Sequence, residues 1–346
     1  MVIDAESPTP PRGDFAVRVD LGESIGRSRW RQLQMSSLVI HDGGPLTTIQ
    51  DLGRPGHLRV GIPESGPMDR EALVLANRLV GNADGAAALE CTVIGPRVEF
   101  TDGRVVAVTG ADMPVALNGA EAPRWQAFGV KAGDVLKLGP AKTGVRAYVA
   151  ISGGIDTPPA LGSRATYLRG QLGGLSGRAL RRGDRVPLAP CRPARLGRVR
   201  PDRVPAYSAE PEVRVVLGPQ DDRFTGRGIA AFLGGPYEVL PQSDRMGARL
   251  RGPLIEHTRG HDIVSDGIPL GGIQVVGDGQ PIVLLVDRQS TGGYTKIATV
   301  CSFDIGRVGQ VKPGQRLRFR RVTVAEAHAA LRASQEHLDA AIEFVA

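Results

Sequence analysis

Paired cysteines, long apolar runs and lysine are what this 346-residue chain has little of. Each shortage argues against a class of protein. Cys91, Cys191 and Cys301 are odd in number and far apart, with no Cys-x-x-Cys spacing. A disulfide framework is therefore not expected, and a reducing cytoplasm is the compartment that fits. No uninterrupted apolar stretch approaches the ~20 residues that cross a bilayer. The N-terminus, with Asp4, Glu6 and a Ser-Pro-Thr-Pro-Pro run, lacks the pattern of a signal peptide, so no membrane association is expected. Lysine occurs only five times although the net charge is +7. Between Arg164 and Arg203 eleven arginines face only Asp184 and Asp202, a local balance of +9 that leaves about −2 for the rest. Such a segment either touches an anionic ligand or acidic partner, or is a solvated connector in an arginine-preferring proteome. With no RNA-binding aromatic motif and no zinc-finger spacing, nucleic acid is not an expected partner.

What is present is a β-rich pattern. Hydrophobic residues make up 41% of the chain, enough for a substantial core, and the 46 glycines and 26 prolines are scattered between short apolar runs. The runs at 105–108, 135–138, 145–151, 213–217, 273–276, 282–286 and 297–300 are each bounded by turn residues, the signature of strands. Two segments carry helical spacing instead. Residues 69–80 place Ala72, Leu73, Ala76, Leu79 and Val80 on one face, with Gly81 as a stop and Ser65 or Gly66 as the expected entry. Residues 325–340 follow a capping box at Thr323 and Glu326.

The chain also echoes itself. Val130-Lys-Ala-Gly133 parallels Val311-Lys-Pro-Gly314, and Ile62-Pro-Glu-Ser65 through Met68 parallels Leu240-Pro-Gln-Ser243 through Met246. An Arg-Leu-x-Gly step follows at Arg78 and again at Arg249. Three matches in one order predict a duplicated β unit. The expected division is a tail over 1–36, a first unit over 37–150, an Arg/Gly/Pro-rich connector over 151–209 packed on the units, a second unit over 210–322 and a C-terminal helical segment over 323–346. Met35 heads the first patterned segment and offers an alternative start. Closure into barrels would remove the exposed edges of so many short strands.

Polar residues gather in a few places. Asp51 and Arg54 lie in a Gly/Pro-rich loop, where Arg54 either binds a carboxylate or phosphate or holds a turn by pairing with Asp51. Ser65 and Gly66 precede the first helix, where free N–H groups either face an anion or are capped. The densest stretch runs from Ser265 to Gln274 and on through Asp287-Arg-Gln-Ser-Thr-Gly-Gly-Tyr-Thr-Lys296. It follows an apolar strand whose end could present Asp287, Arg288, Gln289, Thr291 and Lys296 to a cleft, while Gly292 and Gly293 would let backbone N–H groups approach oxyanions. The competing reading is a polar turn with an Asp–Arg pair. His257 and His261 have a metal-pair spacing, but Gly260 between them argues against a helix there, so no metal site is expected. Walker A, Gly-x-Gly-x-x-Gly and Gly-x-Ser-x-Gly patterns are all missing.

Thr48–Gly56, Ser65–Asp69, Asn77–Asn82, Ser243–Gly247, Ser265–Gly271 and Asp287–Thr299 together closely resemble the allophanate hydrolase subunit 2 family. That family is also known as the C component of 5-oxoprolinase, as biotin-dependent carboxyltransferase-like or as KipI antagonist. The resemblance covers about residues 37–322. It implies a mainly β fold of two cyclophilin-like β-barrel units with a few short helices. It also implies a cytoplasmic hetero-oligomer with a KipI-like subunit 1 (the B component of 5-oxoprolinase) and a third subunit. In that complex ATP, with Mg at the level of the assembly, drives opening of 5-oxoproline to glutamate. Isolated activity is not expected. The clustering of polar residues at the strand end nominates Asp287, Arg288 and Lys296 as catalytic groups. Asp51, Arg54, Ser65, Ser243, Arg245, Gln274, Gln289, Thr291, Gly292, Gly293 and Tyr294 would contact substrate. Two alternatives stand beside it: the carboxyltransferase part of a urea or amide carboxylase, and a regulatory binder of a KipI-like kinase inhibitor. Covalently bound biotin is not expected, because no Met-Lys-Met attachment site occurs. The Ser–Ser–Lys constellation of amidases is likewise not apparent.

Overall fold

The computed structural model describes residues 36–191 and 196–344. The expected tail through Met35 and part of the basic connector lie outside these residues. The fold is mainly β. In the N-terminal unit, strands Leu46–Gln50, Ala88–Thr92, Arg146–Ile151, Arg104–Gly110 and Ala127–Val130 form one antiparallel sheet, in that order. A second sheet runs Arg185–Pro187, Ser37–Asp42, Arg97–Phe100, Val135–Leu138, Val115–Leu117 and Ala120–Glu121. The two share one core, with Leu38, Ile40, Val98, Phe100 and Leu136 from one side and Ile49, Leu89, Val106, Val108 and Val149 from the other. Arg146–Ile151 is buried on both faces, which explains its unbroken apolar run. Ala147, Val149 and Ile151 point into the shared core, whereas Tyr148 and Ala150 meet helix α1 (Arg70–Leu79) on the outer face.

Helix α1 forms where the 3.6-residue spacing predicts, but its entry is not Ser65 or Gly66. Asp69 is the N-cap, its carboxylate accepting from the Ala72 N–H at 3.1 Å. Ser65 instead adopts a left-handed φ of 56° and donates its backbone N–H to the Val286 carbonyl of the other unit. The apolar face of α1 buries Ala72, Leu73, Leu75, Ala76 and Leu79, each leucine contributing about 1.5–3 kcal/mol.

The C-terminal unit is a closed barrel of strands Glu212–Leu217, Lys296–Val300, Gly272–Val275, Pro281–Leu284, Gly247–Arg251, Tyr237–Val239 and Arg316–Arg321. The last returns to the first by a parallel pairing. Stacked Phe232 and Phe319 fill one part of its core. Helix α2 (Gly226–Gly234), capped by Thr225, covers that end. Three of its nine residues are glycine, which hid it from a propensity reading. Helix α3 (Ile305–Gly309) is one turn, and α4 (Val324–Asp339) carries the expected capping box.

The internal echoes divide. Gly133 and Gly314 share a φ of 84°, and each turn has the same pair of bonds. The Lys131 and Lys312 carbonyls accept from residues 134 and 315, whose side chains accept in return from the lysine N–H groups. Residues 62–68 and 240–246 are both irregular segments leading into an element, whereas the Arg-Leu-x-Gly echo falls on different elements: Arg78 and Leu79 end a helix, and Arg249 and Leu250 lie in a barrel strand. The basic connector also departs from a solvated linker. Arg164 binds Asp156, Arg178 binds Asp184, Arg198 binds Glu343, and Arg185–Pro187 joins the six-stranded sheet.

Candidate functional site

The two units meet around a buried cluster of charge. Glu90 and Tyr148 are cross-strand partners, which puts their side chains on one face of the sheet, below the start of α1. The Tyr148 hydroxyl donates to Glu90 at 2.7 Å and accepts from the Asp69 N–H at 2.8 Å, and the Met68 N–H donates to Glu90 at 2.9 Å. From the barrel, Arg245 enters this cluster. It donates to Glu90, to the Gly66 carbonyl at 2.7 Å and to both oxygens of Asp287, at 2.8 and 3.3 Å. Burial alone would raise the Glu90 carboxyl, but Arg245 and Arg146 beside it hold it below the usual range. Burial would lower Arg245, and the Asp287 and Glu90 carboxylates overcome that and raise it. Gln310, next to α3, completes the joint. Its carbonyl accepts from the Val145 and Arg146 N–H groups, and its amide donates to Asp69 and to the Arg146 carbonyl.

Beside this joint lies a shallow, solvent-open cavity of about 440 Å³. Leu58 and Arg59 of a short 3-10 turn form one wall, and Gly267, Ile268, Pro269, Ser290 and Thr291 form the other. Strands Asp262–Gly267 and Thr291–Tyr294 pair as a two-stranded ribbon apart from the barrel, with a register shift between Asp262 and Asp266. The ribbon is solvated, and Val264 near its middle is 92% exposed.

Behind the Ile268 and Thr291 wall, buried donors collect. Gln274 and Lys296 are paired across adjacent barrel strands, and both are fully or almost fully buried. Neither Gln274 Nε2 nor Lys296 Nζ makes a hydrogen bond within the described protein. Lys296 Nζ has an ion pair at 3.4 Å with Asp266 of the ribbon, without hydrogen-bond geometry. Its backbone N–H donates to Gln220 at 3.0 Å. Arg288 donates from Nε to the Ile268 carbonyl at 3.0 Å and lies 3.6 Å from Glu64, leaving Nη1 without a partner among the described residues. Arg54 Nη1 and Ser65 Oγ are similarly buried and unbonded. Burial costs such groups about 1–3 kcal/mol each when no partner is present. A set dominated by cationic and amide donors calls for an acceptor-rich, anionic ligand.

The residues expected at a site therefore separate. Arg288, Gln274, Lys296, Thr291 and Gly292 converge on the cavity wall and the donors behind it. Gly292 is a strand residue: a Cβ there would come within 2.7 Å of Gln274 Nε2 and 2.8 Å of Ile268 Cδ1, so its role is room rather than a left-handed backbone. Gly293 lies beside it in the same strand. Tyr294 stacks on His261, with ring centroids 6.0 Å apart, and His257 bonds Thr295. Asp287, expected as a catalytic group, and Arg245, expected to contact substrate, bind each other in the joint. Ser243 bonds the Arg249 backbone and shapes a turn. Gln289 is exposed. Asp51 does not pair with Arg54. Its carboxylate accepts from Gly53, Ser163 and Arg164, while Arg54 donates to the carbonyls of Ala160 and Ala165. Sequence reasoning missed Glu90, Tyr148, Asp69 and Gln310. A lone glutamate between Leu89 and Cys91, both core residues, was the signal that could have exposed Glu90.

Comparison with known proteins fits this architecture. Residues 60–321 match the family described as carboxyltransferase domain, subdomain A and B. The chain is 36% identical to the C component of 5-oxoprolinase from Escherichia coli K12 over 307 residues, covering 87% of this chain and 96% of that protein. It is 34% identical to urea amidolyase of Saccharomyces cerevisiae, over 95% of this chain but only 19% of that protein. Among solved structures, the urea amidolyase of K. lactis superposes with a TM-score of 0.84 at 32% identity, over 88% of this chain and 20% of that one. The chain thus spans nearly the whole of the bacterial protein and about a fifth of the yeast enzymes. It belongs to the carboxyltransferase domain family, subdomains A and B.

Proposed function

We propose that this chain is a subunit of an ATP-dependent 5-oxoprolinase complex that converts 5-oxoproline to glutamate. The observation that carries the reading is coextension: the chain matches 96% of a free-standing 5-oxoprolinase component at 36% identity. The donor cluster supports it, since 5-oxoproline carries a carboxylate, and a phosphorylated lactam would carry further oxyanions for Arg288 and Lys296 to neutralise. A cavity of about 440 Å³ is of the size that small-molecule sites have. Its lining holds one charged side chain, Arg59, and so lacks the cradle that Mg-ATP needs. We place nucleotide binding at the joint surface with a KipI-like partner. Lactam phosphorylation would occur there, and a third subunit would hydrolyse the product.

The test is reconstitution of this chain with its KipI-like partner and the third subunit, following glutamate release that depends on both ATP and 5-oxoproline. Turnover is expected, and Lys296→Met should lower it by at least about a hundredfold. Absence of turnover with three folded proteins overturns the assignment. The similarity to urea amidolyase favours a second reading, a carboxyltransferase acting with separate biotin proteins. Biotin-dependent bicarbonate exchange in the same preparation would replace the first reading with that one.

A further inference from the structure

Lys296 presents a physical problem that the fold does not solve internally. An ammonium group with no solvent exposure needs a counter-ion and hydrogen-bond acceptors, because desolvating a charge is costly. Its nearest carboxylate, Asp266, is 56% exposed at the side chain and sits 3.4 Å away without hydrogen-bond geometry. Asp266 belongs to the solvated ribbon, whose two strands pair with each other and not with the barrel, whereas Lys296 and Gln274 belong to the closed barrel. The ribbon's other strand contributes Gly292, whose lack of a side chain lets Gln274 Nε2 and Ile268 Cδ1 pack directly against it. Ile268, just beyond Gly267, separates these donors from the cavity that Arg59 borders.

We propose that Lys296 and Gln274 form an oxyanion-binding pair for a carboxylate or phosphoryl group, and that Asp266 is an internal counter-ion which the ligand displaces. This rests on the substrate site placed at the same cavity under the proposed function. The ligand's oxygens replace one poorly aligned acceptor at 3.4 Å with two or three well-aligned ones, accepting from both Nζ and Nε2. The ribbon moves outward as Asp266 releases, carrying Ile268 away from the donors. The asymmetry explains why a rigid barrel strand carries the lysine and a separate two-stranded ribbon carries the aspartate. An anion must enter, and only the ribbon can yield without breaking the barrel.

Titration calorimetry on the full chain with inorganic phosphate and, separately, with acetate tests this without any partner or turnover. Asp266→Asn should bind the preferred anion roughly threefold or more tightly than the unsubstituted protein, because the competing carboxylate is gone. Lys296→Gln should abolish binding, and Gln274→Leu, which leaves the charge in place, should weaken it. Phosphate binding without acetate binding assigns the pair to a phosphoryl group, and the reverse assigns it to a carboxylate. Hydrogen exchange should quicken at 262–267 and 291–294 when the anion is bound. Equal or weaker binding by Asp266→Asn overturns the proposal, as does anion binding that survives Lys296→Gln or no binding of either anion by any of these proteins. If binding follows the expected pattern while the reconstituted complex releases no glutamate, the 5-oxoproline assignment fails and the anion site stands.

Discussion

At the scale of single residues, two carboxyls, Glu71 half-buried and Glu90 fully buried, set opposite pH dependences. Glu71, on the first turn of α1, is pushed up to about 7, mainly by burial and then by Asp69. The unfolded chain binds fewer protons at this position than the folded one between the ordinary carboxylate range and pH 7, so its contribution is complete at low pH and is lost as pH rises through 7. Glu71→Gln should raise stability at pH 8 by on the order of 1–3 kcal/mol and leave it unchanged near pH 4, read by urea melts at both values. Glu90 has the reverse sign. Its carboxyl is held below the usual range, so its contribution is present above that range and is lost as pH falls. Arg245→Ala leaves Glu90 and Asp287 buried without their partner and should cost about 3–5 kcal/mol. Arg245→Lys should recover only part of that, because an ammonium cannot reproduce a fork shared by Glu90, Asp287 and Gly66. Thiol chemistry reads burial directly. Cys191 is exposed, whereas Cys91 is buried and its thiol is pushed up to about 12. A thiol reagent at pH 8 should label Cys191 at once and Cys91 only on unfolding.

At the scale of elements, the sequence signals that succeeded were local and repeated. The capping box at Thr323 and Glu326 is formed at both of its bonds, since the chemistry that stops a helix from fraying lies within four residues. Helix α4 buries none of its residues fully, so it depends on that cap more than α1 does. Thr323→Ala should cost about 1 kcal/mol, seen as lost helicity in far-ultraviolet dichroism before the global transition. The turn at Gly133 and its counterpart at Gly314 were legible for the same reason: a left-handed glycine between a lysine and an acceptor side chain is a local solution. The signals that misled were also short. Ser65-Gly-Pro-Met68 reads as a helix entry, yet Asp69 caps α1 because its carboxylate alone reaches the Ala72 N–H. Ser65 is instead drawn into the joint by Val286, far away in sequence. The Arg-Leu-x-Gly pair shows that identical letters follow a helix in one unit and a strand in the other.

At the scale of the whole molecule, the units are tied by more than contact. Met68 of the first unit packs in the barrel's core cluster, and a Cβ on Gly309 would fall 2.2 Å from its Cγ. Gln310 joins strand Arg146–Ile151, the Asp69 cap and the barrel through four hydrogen bonds. Unfolding either unit would strand Glu90, Arg146 or Arg245 without partners, which couples the two. Calorimetry should show a single transition with equal calorimetric and van't Hoff enthalpies, and Gln310→Ala should split or broaden it. Among the described residues, no helix is long and apolar enough to cross a membrane.

Alternation, turn residues and capping spacing depend on neighbours within a few positions, so the sequence by itself determined the strands, α1, α4 and the β-rich class. It also nominated Lys296, Gln274 and Arg288, because polar residues crowded against an apolar strand are visible in one dimension. Only the tertiary structure decided which polar residues face a cavity and which hold the units together. Asp287 and Lys296 are close in sequence and look alike as charged residues beside buried strands. One meets Arg245 and is neutralised inside the joint, while the other meets only a ribbon carboxylate at 3.4 Å. That difference is made by segments far away in the chain, and charge pairing across a fold leaves no local trace in the sequence.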